Sequence, residues 1–184
     1  MNNYGKIYTP LGLDGFEICR PVNQEDFETI NLKISGLPQK GTWKPLKVQI
    51  FDKDQGVSLL RSDSPWIGSH TLIFREQVVR KMQSFLEKHG ELLPLEENSD
   101  QLFIYNPWLC ENALDSAKSE MIKLSGGKII RITKYAFHKE RIDGFEAFKI
   151  SDLRVSPVFL GQTFVDEWLS AGFVGLEFNE VWKD

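Results

Sequence analysis

TLIFREQVVRKMQSFLEKHG, residues 71–90, is the stretch that decides the fold class. Val78, Val79, Met82, Phe85 and Leu86 recur at spacings of one, three and four. That is one face of a 3.6-residue period, and it predicts an amphipathic helix over Arg75–His89. Lys88 and His89 fall in its last turn, where positive charge suits the helix dipole. Gly90 is expected to stop the helix in a left-handed conformation. No Ser, Thr, Asp or Asn stands immediately before Arg75, so the start lacks an ordinary side-chain cap. His70–Phe74 reads as a short extended lead-in.

Downstream, Gly90–Asp100 reads as an acidic loop broken by Pro94, and Leu102–Tyr105 as a strand ended by Asn106-Pro107. Leu114–Leu124 fits either a short helix or a loop feeding a strand. Ser125-Gly126-Gly127 is a hairpin-type turn, followed by a strand within Lys128–Phe137 that carries Ile130, Ile132 and Thr133. Ile142-Asp143-Gly144 turns the chain into a strand over Phe145–Ile150. A second helix is predicted from Ser156-Pro157, with Ser as cap and Pro at the first helical position. Its expected buried stripe is Val158, Phe164, Val165, Trp168 and Leu169. Gly161 lies inside it, at a cost of about 1 kcal/mol relative to Ala, and Gly172 ends it. Phe173–Phe178 closes the pattern as a strand, with Asn179–Asp184 as a polar tail. The predicted class is therefore α+β: a mainly antiparallel sheet packed by two amphipathic helices.

Upstream, glycines and prolines punctuate residues 1–45 closely. Residues 1–55 are expected to form an irregular N-terminal region or small lobe. Short strands are expected at Phe16–Cys19, Thr29–Ile34 and Leu46–Phe51, the last closed by the turn Asp52–Gly56. Residues 56–184 form the main domain. One continuous domain is the alternative.

The chain has 184 residues, 41% of them hydrophobic and 12% aromatic, enough for a core without disulfides or metal. Two cysteines, Cys19 and Cys110, do not make a disulfide framework. MNNYGKIYTPLG lacks a basic region followed by an apolar run, and no apolar stretch nears the roughly 20 residues a bilayer span needs. A cytoplasmic location without membrane contact follows as the expectation. The net charge of −4 argues against a phosphate-backbone binder.

The succession TLIFREQVVRKMQSFL, LFIYNPW, LDSAKSE and VSPVFLGQTFVDEWLSAGFVGLEFNEVW resembles the bacterial immunity proteins of polymorphic toxin systems, the Imm11 or DUF1629 family. The closest echoes are Leu114-Asp115 with Ser119-Glu120, then Val155-Ser156, Ala171-Gly172 and Gly175-Leu176-x-Phe178. They cover roughly residues 60–182. Arg75 departs from the serine or extended position that the family shows at the start of the first helix. The resemblance implies stoichiometric occlusion of a cognate protein toxin, for which the neighbouring gene is the natural candidate. It transfers no catalytic residues.

The chemistry-bearing residues offer little local pattern. His70, His89 and His138 match no metal motif. Cys110 has no base beside it. Asp52-x-Asp54-x-Gly56 misplaces the glycine of a calcium loop. Asp115, Glu120, Asp143 and Glu146 could pair only through the fold. The glycines of Ser125-Gly126-Gly127 and Gly68-Ser69-His70 complete neither a phosphate loop nor a nucleophile elbow. The basic run Lys128, Arg131, Lys134, His138, Lys139 and Arg141, with Tyr135 and Phe137 as candidate base-stacking rings, reads more simply as a solvated strand face. A non-enzymatic protein without metal or cofactor is expected; Trp43, Trp66 and Trp108 stand beside Pro or Gly in predicted loops, where such aromatics serve either as protein-binding anchors or as plugs of small satellite cores. The acidic residues Glu96, Glu97 and Asp100 belong to a loop that reads either as an ordinary solvated loop or as a surface that steers a basic partner. A small enzyme whose residues converge only in three dimensions and a nucleic-acid or regulatory binding module are the alternatives.

Overall fold

The computed structural model describes residues 5–184; Met1–Tyr4, the first residues of the N-terminal stretch that lacks a basic region followed by an apolar run, lie outside it. In chain order the elements are β1 (Lys6–Gly12), β2 (Ile18–Pro21), α1 (Asp26–Lys33), β3 (Val48–Phe51), β4 (Lys53–Asp54), β5 (Val57–Ser58), β6 (Leu72–Arg75), α2 (Glu76–His89), β7 (Gly90–Pro94), β8 (Leu102–Pro107), β9 (Glu120–Lys123), β10 (Ile129–Lys134), α3 (Lys139–Ile142), β11 (Ala147–Phe148), β12 (Phe159–Gly161), α4 (Gln162–Ser170) and β13 (Leu176–Lys183). The fold is α+β. Its strands form a four-stranded sheet in the order β11-β12-β1-β13, a three-stranded sheet β6-β8-β7, and the pairs β2-β3, β4-β5 and β9-β10. Every one of these pairings is antiparallel.

The alternation of β6 explains the layering. Leu72 and Phe74 point to one side of the three-stranded sheet and Ile73 to the other, and all three are fully buried. The first side is the central core. There Val78, Met82 and Leu86 of α2 and Phe164 and Trp168 of α4 meet Tyr105, Leu160 and Leu176 from the two larger sheets. The other side is closed by Ile30 and Ile34 around α1, with Cys19 and Val48 from β2 and β3. A third cluster covers the far face of the four-stranded sheet. It joins Ile7, Phe148 and Phe159 to Phe137, Ile132 and Cys110. Phe137 stands edge-on to Phe148, Phe159 and Trp182 at 5.2–5.8 Å, a preferred aromatic geometry.

Several boundaries differ from expectation. Thr29–Ile34 is not a strand: it lies in and just beyond α1, with Asp26 and Glu28 in the first turn and Lys33 in the last. Gly90 is extended (φ −179°) and opens β7, so half of the supposed acidic loop is a sheet strand. Glycine is needed there for close approach. A Cβ would lie 2.6 Å from the Asn106 carbonyl oxygen and 2.8 Å from Pro107 Cα. The second helix starts at Gln162, not Ser156, because Phe159–Gly161 pairs with β1 and β11. Leu169 is exposed and not part of the stripe. Asn179–Lys183 continues β13 and is not a tail. Leu114–Leu124 resolves as a turn, in which Asp115 accepts from the Ala117 and Lys118 amides, leading into β9. Among the described residues, no helix is long and apolar enough to cross a membrane.

Candidate functional site

The Ser125-Gly126-Gly127 turn, with Gly127 at φ +81°, folds β9 and β10 into a two-stranded ribbon. Met121 lies opposite Ile132, and both face the aromatic cluster on the far side of the four-stranded sheet. Ile122 lies opposite Arg131. The register shifts between Ile129 and Arg131, a bulge that re-aims the intervening residue. Ile132 is 6% exposed while Ile130, of the same parity, is 57% exposed. Ile122 and Leu124 are 51% and 53% exposed. Three aliphatic side chains thus face water on a ribbon whose reverse is anchored in a core. Leu124, Ile129 and Ile130 also form one wall of an open depression whose other wall is Leu153 and Val155.

Two cations accompany these side chains: Arg131 lies opposite Ile122, and Lys128 shares the depression with Leu124 and Ile130. Lys123, Lys128 and Arg131 are exposed and form no ion pair with any described residue, whereas Lys134 faces Glu120 at 3.6 Å. Arg154, at the rim of the depression, is paired with Glu28 of α1. The ribbon therefore carries positive charge on a chain whose net charge is −4.

The three tryptophans do not converge. Trp43 is half-buried over the cluster around Ile30 and donates its indole N–H to the Pro94 carbonyl at 2.8 Å. Trp66 is half-buried against the central core, so close to Gly12 that a Cβ there would sit 2.5 Å from the indole Cγ. Trp108 is half-buried, and its backbone is held by the His89 carbonyl and the Lys149 amide. Of the acidic trio, Glu96 is exposed and faces Lys47 at 3.5 Å. Glu97 accepts from the Ser99 and Asp100 amides, which outweigh the upward push of partial burial and lower its carboxyl below the usual range. Burial pushes Asp100 up too, but hydrogen bonds from Arg75 and Arg61 hold it below the usual range.

Of the candidate acid–base groups, Asp115, Glu120 and Glu146 are held by structural partners. Glu146 accepts from the Thr163 amide (3.1 Å) and hydroxyl (2.7 Å) and so caps α4. It shares a small cleft with Asp143, Lys6 and Trp182, with space for about one water (≈ 20 Å³). Burial pushes the Cys110 thiol up to about 11, and it donates to the Arg141 carbonyl at 3.2 Å, so it is no ready thiolate. Burial lowers His70 and His89 to about 4. Among the described residues, no group of three or more His, Cys, Asp or Glu is placed to hold a metal ion. No protein-family model matches the chain, and no curated protein matches it.

Two buried cations were not foreseen. Arg75, 1% exposed, donates from Nε to the Ser62 carbonyl (2.7 Å) and pairs with Glu17 (2.6 Å) and Asp100. Lys149, also 1% exposed, donates to the His70 (2.6 Å) and Ser156 (3.2 Å) carbonyls, and burial lowers it to about 7. Its amine is spent on these carbonyls in the interior, which makes it a structural group. The exposed aliphatics of the ribbon were also missed, because regular alternation puts Ile130 and Ile132 on one face.

Proposed function

We propose that this chain is a protein-binding module of the immunity type, which neutralises a cognate bacterial toxin by stoichiometric occlusion. The observation that supports protein binding is the outward face of the β9–β10 ribbon. Clustered, solvated aliphatic side chains on a soluble surface characterise contact sites, and burial of large anchors supplies most of the energy of such contacts. A ribbon anchored from behind by an aromatic cluster presents its anchors with little ordering cost. The toxin as partner rests on the resemblance of residues 60–182 to immunity proteins.

The test is co-expression with the protein encoded by the neighbouring gene, followed by pull-down and titration calorimetry. A one-to-one complex is expected, and the double variant Ile122→Glu/Ile130→Glu should weaken it by about tenfold or more. The wild-type chain, and not the variant, should relieve growth arrest by that neighbour. Equal binding by the variant would remove the ribbon from the interface.

A further inference from the structure

We infer that the ribbon receives an acidic, extended segment of its partner that carries one large apolar side chain, an inference that rests on the protein-binding reading. The chemistry of the face selects this occupant. Arg131 lies opposite Ile122 and Lys128 lines the depression with Leu124 and Ile130, and among the described residues neither cation has a carboxylate partner. A basic segment would meet uncompensated like charge there. An uncharged one would leave those cations without partners at the rim. Carboxylates placed on the rim speed encounter and fix register, while the apolar anchor supplies the burial.

The depression between Leu124–Ile130 and Leu153–Val155 offers a seat for that anchor, with Lys128 and Arg154 at its edge. Among the described residues β9 and β10 pair only with each other, so each keeps an unpaired edge, the feature to which an extended segment adds as a further strand. A single-stranded nucleic acid fits the same cations but not the side chains between them. Base recognition by such a groove needs aromatic platforms. Here the exposed residues are aliphatic, and the nearby rings are turned inward. Tyr135 stacks on Phe137 at 5.9 Å and stands edge-on to Phe159 at 5.1 Å.

The experiment is selection of a displayed random-peptide library on the full immobilised chain. Asp- and Glu-rich sequences flanking one large apolar residue are expected. A synthetic peptide of that sequence should bind the wild-type chain and weaken with added salt. Its binding should fall about tenfold or more in both Lys128→Glu/Arg131→Glu and Ile122→Ser/Ile130→Ser. Near-UV circular dichroism checks that each variant keeps its tertiary packing. Four outcomes overturn the inference: no enrichment, enrichment of basic or neutral sequences, acidic peptides indifferent to the charge reversal, or tighter binding of an oligothymidylate to the same residues. The failures stay distinguishable. If Ile122→Glu/Ile130→Glu breaks the complex with the neighbouring protein and Lys128→Glu/Arg131→Glu does not, the acidic occupant falls and protein binding stands.

Discussion

Arg75 shows how a single residue can be misjudged from its neighbours in the chain. By sequence it is a poor start to a helix. In the fold it is the last residue of β6, its amide donates to the Asp63 carbonyl, and its guanidinium closes a network with Glu17 and Asp100. Those partners come from the N-terminal region and from the loop after β7, separations that no local pattern reports. A buried guanidinium is tolerated only with its full set of acceptors, and removing one member strands the others. Arg75→Met should therefore cost about 3–5 kcal/mol in urea unfolding, far more than its loss of side-chain volume implies. A loss under about 1 kcal/mol would place these charges in water. Lys149 makes the second residue-scale prediction. Its folded pKa, about 7, lies below its ordinary value of 10.5. Between these values the unfolded chain holds a proton that the folded chain lacks, so stability rises with pH across that window. The cost of the buried ammonium is felt in full below the folded value. Above about pH 9 the buried thiols, raised to about 12 at Cys19 and about 11 at Cys110, act oppositely, because only the unfolded chain releases their protons. The urea midpoint should therefore rise from pH 7 to pH 9 in the wild type and stay level in Lys149→Met. An unchanged slope in that variant would assign the effect to another group.

Among the elements, α2 was legible because fourteen residues hold one apolar face against a core, long enough for the 3.6-residue period to be unmistakable. The segment around α1 was not. Ile30, Leu32 and Ile34 alternate as a strand would, yet Ile30 and Ile34 are also one helical turn apart, and six residues cannot separate the two periods. The helix wins by burying Ile30 and Ile34 and leaving Leu32 in water. The start of α4 was hidden for another reason: its cap is not local. Gly161 occupies the N-cap position, and Glu146, from the loop before β11, accepts the Thr163 amide. Glu146→Ala should cost about 1–2 kcal/mol, the range of an ordinary cap deletion. Gly161→Ala should also destabilise, since its Cβ would sit 2.2 Å from Glu146 Oε2. The double variant should lose less than the sum of the singles, because the carboxylate that clashes is the one removed. Strict additivity in thermal melts would mean that Gly161 is held by its backbone surroundings and not by Glu146.

At the scale of the whole molecule, the α+β class was legible from helical and strand periods alone, but the way the chain closes on itself was not. The run of glycines and prolines in residues 1–45 reads as a wrapping segment. Yet β1 lies inside the four-stranded sheet, paired with β12 through Ile7 and Tyr8 and with β13 from Lys6–Lys183 to Gly12–Leu176. Pairings between the two ends of a chain leave no short-range signature, since each strand satisfies its own alternation whatever its partner. The ribbon was half legible for the same kind of reason: its turn and basic residues show in the sequence, while the bulge that sends Ile130 outward exists only in the pairing. The closure of β1 makes a prediction about folding units. Residues 56–184 expressed alone keep β12 and β13 but lose the strand that joins them into one sheet. They also lose Glu17, leaving the buried Arg75 with one carboxylate fewer, and α1, which covers the far side of the three-stranded sheet. The exposed remainder includes Leu160 and Phe159, whose faces contribute to two different cores. That fragment should show no cooperative thermal transition and should bind a hydrophobic dye, as collapsed chains without fixed packing do. Adding a synthetic peptide of residues 1–55 should restore near-UV circular dichroism and the transition together. A fragment that melts cooperatively by itself would show that β12 and β13 do not need β1, and that the N-terminal region is an accessory to an independently stable domain.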